Sequence, residues 1–307
     1  MTAPRKDAPR LSVVIAAWCN EALLTRCLES IHAQRDRAAM SMEIIVVTSL
    51  PAVTLERMCA AWPQVSGESL PGASVLQLRA AGAARARGDL VAFIEDHVTV
   101  GPAWAEALLH VHAAGRGIIG GPVVNGLVRR AFDWALYFVE YGVYMPPMLP
   151  GPVPAVSGVN VTYDRALLDG CRSVWQLGLS ENEVNDALGV YGHMPYMAPD
   201  AWVAAHLPMS LSEAMTHLYQ GGRHFAQYRA GKLSRTMRLA WLLASPAVPL
   251  VLFVRIARSV VARAPAHARH LVRGVAYFGL ILGAWSVGEL VGYANALRVE
   301  PTGERRA

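Results

Sequence analysis

Leu90 to Leu109 reads LVAFIEDHVTVGPAWAEALL, and the rest of the chain is organised around it. The apolar run Leu90–Ile94 has a strand's length and branching. It leads straight into three adjacent titratable groups, Glu95, Asp96 and His97. A Gly101-Pro102 turn follows, and Trp104 then opens an amphipathic helix. In an open α/β sheet, ligands bind at the carboxyl ends of the strands. Two carboxyls and an imidazole at that mouth have the chemistry to hold a hard or borderline divalent cation, and through it a diphosphate. The plainer alternative is a solvated strand end with ordinary turn residues.

The segments on the N-terminal side set the fold class. Leu11–Ala17 reads as a buried parallel strand, followed at once by a helix from Glu21 to Gln34. Glu43–Thr48 reads as a second strand and Leu55–Trp62 as a helix. Val75–Leu78 reads as a third strand, Ala80–Arg87 as an Ala/Arg helix, and Leu90–Ile94 as the fourth strand. Strand and helix alternate with short connections, which predicts a doubly wound, mainly parallel α/β sheet. The absence of GxGxxG after the first strand argues against a dinucleotide-binding oxidoreductase. Further on, Asp133–Tyr144 carries five aromatic residues, Met145–Pro154 is a Pro/Gly-rich loop, Ser157–Tyr163 resumes a strand, and Glu181–Leu188 is helical.

Composition separates the two ends of the chain. The apolar fraction of 53% is high and the charged fraction of 17% low for a soluble enzyme, which suggests membrane contact. From Ser210 onward there are 13 Lys/Arg against 4 Asp/Glu, leaving 15 against 19 before it. A mildly acidic body thus precedes a strongly basic, apolar tail, which suits an anionic lipid surface and not nucleic acid. Cys19, Cys27, Cys59 and Cys171 form no CxxC pair and read as reduced, buried residues of a cytosolic body. No signal peptide is expected, because Met1–Arg10 is polar and Leu11–Trp18 is short.

The tail holds two uncharged runs, Leu239–Val254 of 16 residues and Gly274–Gly288 of 15. Each is shorter than the roughly 20 residues that a spanning helix needs. Between them lie Arg255, Arg258, Arg263, Arg269 and Arg273, which the positive-inside bias keeps cytoplasmic. A re-entrant or interfacial hairpin resolves the conflict, with arginines snorkelling to headgroups. A pair of buried helices in a soluble subdomain is one alternative, and two spanning passes are another.

Taken in order, these segments resemble the family 2 glycosyltransferases over most of residues 11–225. The likeness opens with Ser12-Val-Val-Ile-Ala-Ala-Trp-Cys-Asn20, Leu24, Cys27-Leu28 and Ser30. It continues through Arg79-Ala-Ala-Gly82 and Ala86-Arg-Gly-Asp89, then Phe93-Ile-Glu-Asp-His97 with Trp104 at the position of the family's metal-binding DxD. Ser157-Gly-Val-Asn160 with Arg165 is similar to the acceptor-side glycine–asparagine segment. Ser180-Glu-Asn-Glu183, Leu188, Gly192, Pro199-Asp-Ala-Trp-Val and His206 resemble the region of the catalytic base. Thr48-Ser49 stands where the family often has an aspartate for the nucleotide base, and Ala16-Ala17-Trp18 replaces Pro-x-Tyr.

The resemblance implies a GT-A-type fold with a C-terminal apolar helical hairpin. Composition and the resemblance together divide the chain into a disordered N-terminus (1–10), a catalytic domain (11–225, donor half about 11–115 and acceptor half about 116–225), membrane-associating helices (226–300) and a tail (301–307). The resemblance implies a nucleotide-sugar donor contacted by Ala17, Trp18, Asn20, Ser49, Arg79 and Asp96, and a Mn2+ or Mg2+ ion near Glu95 and His97. In an extended backbone, Glu95 and His97 face one side and Asp96 the other, toward the ribose. Glu181 and Glu183 compete for the base, with helix capping from Ser180 as Glu183's other role. Gly158 and Asn160 fall on the acceptor side. Gln220-Gly-Gly-Arg223-His224 resembles the QxxRW motif of processive, membrane-bound members, although it also reads as a Gly-Gly turn between two helices.

The activity implied is inverting transfer of a sugar to a lipid-linked or membrane-proximal acceptor hydroxyl at the cytoplasmic face of a membrane, in cell-envelope polysaccharide or glycolipid synthesis. A catalytically silent GT-A domain serving as a membrane-bound assembly subunit is the second hypothesis. A nucleotidyltransferase is disfavoured, since no Gly-rich, Lys-containing loop follows the first strand.

Overall fold

A computed structural model describes residues 9–38 and 41–298. The expected N-terminal arm (1–10), apart from Pro9 and Arg10, and the tail (301–307) lie outside the described residues. The elements run β1 (Leu11–Ala17), α1 (Glu21–Ala38), β2 (Met42–Thr48), α2 (Ala52–Ala61), β3 (Val65–Ser69), α3 (Val75–Arg85), β4 (Leu90–Glu95), β5 (Val98–Val100), α4 (Trp104–Ala113), β6 (Ile118–Gly120), β7 (Val123–Asn125) and α5 (Ala131–Tyr141). There follow β8 (Gly151–Pro152), β9 (Asn160–Asp164), α6 (Arg165–Gly170), α7 (Arg172–Trp175), α8 (Glu181–Gly189), β10 (Tyr196–Met197) and β11 (Val203–Ala205). The last helices are α9 (Leu211–Gly231), α10 (Arg235–Ala244), α11 (Val248–Arg263), α12 (Ala268–Arg273) and α13 (Val275–Arg298).

Two compact units emerge: residues 1–126 with 144–207, and residues 127–143 with 208–307. The division falls at Pro208 and not after residue 225, and α5 belongs with the tail.

The first unit is an α/β domain around an eight-stranded sheet of order β3-β2-β1-β4-β9-β6-β10-β8. β1, β2, β3 and β4 are mutually parallel, while β9 runs antiparallel to both β4 and β6. All seven residues of β1 and all six of β4 are buried, as their unbroken apolar runs require of central strands covered on both faces. One core cluster gathers Val14, Val47, Leu78, Phe93, Tyr163 and Trp175 beneath α3, α7 and α8. In this layer α3 presses its glycine onto β1: a Cβ at Gly82 would lie 2.2 Å from Val14 Cγ1.

The sheet also corrects one expected strand. Val75–Leu78 is the first turn of α3, not a strand. Ser74 and Gln77 close a capping box there, with Ser74 Oγ accepting from the Gln77 amide and the Gln77 carboxamide accepting from the Ser74 amide at 2.9 Å. That local satisfaction of helix N-terminal donors outweighs the apolar run's likeness to a strand. The third parallel strand is instead Val65–Ser69, a polar edge strand.

The second unit is helical. α9 runs unbroken from Leu211 to Gly231, so Gly221-Gly222 is not a turn. The glycines admit a neighbouring backbone: a Cβ at Gly222 would meet the Trp285 carbonyl oxygen at 2.2 Å, and one at Gly288 the Tyr219 carbonyl oxygen at 2.1 Å. α9 and α13 therefore pack backbone to backbone, in the manner of small-residue helix pairs. The first uncharged run is split between α10 and α11 by a 3-10 turn over Ser245–Ala247, at Pro246. Arginine, a good helix former, carries the helices past their uncharged runs. Arg235–Arg263 (29 residues) and Val275–Arg298 (24 residues) are, by length and composition, long and apolar enough to cross a membrane. The runs' shortness therefore does not by itself exclude a span.

Candidate active site

The carboxyl end of β4 lies between β1 and β9, and register fixes Glu95 beside Ala16. The strand stops at Glu95, and Asp96-His97 form the turn into β5. The loop after β1 wraps this turn: the backbone amides of Trp18 and Cys19 donate to Asp96 Oδ2 at 3.1 and 2.8 Å. The Trp18 indole donates to Glu95 Oε2 at 2.7 Å. His97 Nδ1 sits 3.5 Å from Glu95 Oε2 and 4.0 Å from Asp96 Oδ1. All three titratable residues are buried.

Opposite them comes a guanidinium. Arg79 is buried near the start of α3 and ion-pairs through Nη2 with Glu95 Oε1, and through Nη1 with Glu181 Oε2 at 3.1 Å. Glu181 is the first residue of α8, where the helix dipole favours a carboxylate. Gly158 makes room for the pair, since a Cβ there would come within 2.7 Å of Glu181 Oε2 and 2.8 Å of both terminal Arg79 nitrogens. Tyr163 Oη donates to Asn185 Oδ1 at 3.0 Å, tying α8 to β9. One cation thus joins the strand end to a carboxylate 102 residues further along the chain.

The electrostatics of the two strand-end carboxylates diverge. Burial works to raise the Glu95 carboxyl, but Arg79, His97 and the Trp18 indole together hold it below its ordinary value. The same pairing, against burial, raises Arg79 above the ordinary guanidinium range. Asp96 lacks such a partner: burial pushes its carboxyl up to about 7, opposed by the loop amides and reinforced by the Glu95 charge. Burial, with Asp96 and Glu95 nearby, also pushes the Cys19 thiol far up. This corner is short of positive charge.

The residues fit a divalent cation there. Asp96 Oδ1 is fully buried and has no hydrogen-bond partner. Asp96, His97 and Cys19 bring three ligand atoms within 4.8 Å of one another, the one such cluster of His, Cys, Asp or Glu among the described residues. Sequence reasoning had no signal for Cys19, which lacks any metal-ligand spacing. Both Glu95 oxygens, expected at the metal, have protein partners instead, and Asp96, expected toward the ribose, supplies the unsatisfied oxygen.

The other expected site residues take varied positions. Ala17 is buried, and its carbonyl accepts from Ser49 N at 3.0 Å and Thr48 Oγ1 at 2.9 Å. Asn20 is exposed and caps α1, its Oδ1 accepting from the Leu23 amide at 3.0 Å. Asn160 is buried, accepting from the Trp104 indole at 3.0 Å and donating to the Ala201 carbonyl at 2.7 Å. Glu183 is half-buried two residues beyond Glu181, and Ser180 makes no side-chain cap. Arg79 pairs with Glu181, not with Glu183. Gln220, Arg223 and His224 lie on α9 in the helical unit.

A mainly parallel sheet with an acidic turn at a central strand end is the arrangement of a GT-A-type domain. Residues 12–171, just over half of the chain, match the family model for glycosyl transferase family 2, and the protein belongs to this family. No sequence among the curated proteins matches significantly. Among solved structures, the fold is similar to that of the mannosyltransferase PcManGT from Pyrobaculum calidifontis, solved in complex with GDP-Man and Mn2+. That chain is 16% identical, with a TM-score of 0.52 over 96% of this chain and 88% of the other. TarS 1-349 from S. aureus is 11% identical, with a TM-score of 0.46 over 97% of this chain and 93% of its own.

Removing Arg79 would strand two carboxylates, one of them fully buried. Breaking a buried pair in this way costs about 3–5 kcal/mol, or a fall in Tm of roughly 10 °C for a domain of this size. Arg79→Met should show this loss by calorimetry. Adding Glu95→Gln should restore part of it, because the uncompensated charge is then gone. An unchanged Tm in the single variant would mean that Arg79 is not the counter-ion.

Proposed function

We propose that this glycosyltransferase moves a sugar from a nucleotide-sugar donor to an acceptor hydroxyl with inversion, and that Glu181 is the general base. The convergence of Glu181 on the Glu95–Asp96–His97 turn through Arg79 carries the reading. Sugar transfer needs an acceptor proton removed at one place and a leaving nucleoside diphosphate neutralised at another. Asp96 and His97 would hold a divalent cation, which supplies the neutralising charge as a Lewis acid. Glu95 acts as the fixed anchor of Arg79. The guanidinium in turn positions Glu181 through Oε2, and Oε1 takes no part in that ion pair. Trp18 and the loop amides hold the carboxylates against rotation, and Trp18, Asn20 and Ser49 line the donor side. Gly158 and the neighbouring strand end serve the acceptor side.

Glu181→Gln keeps an acceptor for Arg79 but removes the base. In steady-state kinetics it should lower kcat by about two to four orders of magnitude while leaving the donor KM near wild type. Unchanged turnover, with the loss appearing in Glu183→Gln instead, would move the role two residues along.

The helical unit supports work at the cytoplasmic face of a membrane on a lipid-linked or membrane-proximal acceptor. α10 and α11 expose Leu239, Leu243, Leu250, Val251 and Val254, and Arg235, Arg238, Arg255 and Arg258 accompany them. An apolar surface interspersed with arginines matches an anionic headgroup layer. In this reading the 259–270 connector stays cytoplasmic, and both segments lie in or dip into that leaflet. A cysteine at Ala266, in a background without native cysteines, should be labelled only from the cytoplasmic side of intact membranes. Labelling from the opposite side would establish two spanning passes.

A further inference from the structure

Cys19 stands apart from the other cysteines. Its sulfur lies 3.9 Å from His97 Nδ1, its own amide donates to Asp96 Oδ2, and it is the partly exposed corner of an otherwise buried cluster. The loop amides hold Asp96 by Oδ2, while Oδ1, fully buried and unpartnered, lies on the His97 side at 4.0 Å from Nδ1. Around a tetrahedral ion with metal–sulfur bonds of about 2.3 Å and metal–nitrogen or metal–oxygen bonds of about 2.1 Å, ligand atoms sit roughly 3.4–3.6 Å apart. Small side-chain rotations therefore close this cluster on an ion.

We propose that Cys19 supplies a thiolate ligand to the cation held by Asp96 and His97, making a mixed sulfur–nitrogen–oxygen site that takes a borderline ion such as zinc in preference to magnesium. The proposal rests on the reading of Asp96 and His97 as the cation-holding end of the donor site. Binding forms a metal–sulfur bond and releases the thiol proton to solvent. A thiolate biases a site toward softer ions, whereas magnesium favours oxygen ligands and keeps much of its water.

The test uses the full chain in detergent, stripped with EDTA and titrated with Co2+. One equivalent should raise the near-ultraviolet thiolate-to-cobalt charge-transfer band. Cys19→Ser should abolish the band and weaken zinc binding at least tenfold, given that even outer-shell losses cost this much, whereas Cys59→Ser should leave both unchanged. Alkylation of the wild type, which does not depend on any variant folding, gives a second reading. Zinc should protect Cys19 from iodoacetamide, as mapped by mass spectrometry, and excess magnesium should not. A wild type without the band, a band that survives in Cys19→Ser, or equal protection by magnesium would overturn the proposal. The band with no turnover of any nucleotide sugar would support the thiolate ligand and count only against the transferase reading.

Discussion

Arg79 is the interaction on which the site depends. A guanidinium and a carboxylate withdrawn from water each lose several kcal/mol of hydration, recovered only through close, well-oriented pairing. The fold supplies that pairing twice, with Glu95 from the central strand and Glu181 from α8. The requirement propagates outward. α3 must begin near Ser74 and press Gly82 onto Val14 for Arg79 to point at the strand end. Residue 158 must lack a side chain. Each condition is local, and together they fix where Glu181 stands relative to the Glu95–Asp96–His97 turn.

The second constraint is the charge left over. Arg79 pairs with both Glu95 and Glu181, and Asp96 is the strand-end carboxylate without an arginine partner. Its burial with one unsatisfied oxygen would be costly in a purely structural role. A cation bound there would remove that cost. The contrast between two adjacent carboxylates, one locked to an arginine and the other left with an unsatisfied oxygen, follows from their different partners.

Much of this was legible in the sequence. Leu90–Ile94 followed by three titratable residues marked both the central strand and the charged turn at its end, because the apolar run and the charges are contiguous. β1, β2, α1 and α8 were equally plain from unbroken apolar runs or helical spacing. Val65–Ser69 was not, since an edge strand needs little hydrophobicity and Val-Ser-Gly-Glu-Ser shows none of the usual alternation. The Val75–Leu78 run misleads until the Ser74–Gln77 cap is weighed against it. Gln220–His224 reads as a turn because two adjacent glycines usually break helices, whereas here they admit α13. Period 2 would set Asp96 opposite Glu95 and His97, but the strand ends at Glu95 and the turn brings His97 Nδ1 near both carboxylates. The Cys19 contact and the Arg79–Glu181 pair join residues 78 and 102 positions apart, which no spacing rule reaches.

The central claim is that this turn binds a nucleotide sugar through a divalent cation. Thermal unfolding of the full chain across a panel of nucleotide sugars, each with and without added divalent ion, tests it most directly. At least one donor should raise Tm in the presence of the ion, and the shift should vanish with EDTA and in Asp96→Asn. Stabilisation by a donor to the same extent in EDTA, or by none of the panel with any ion, would contradict it.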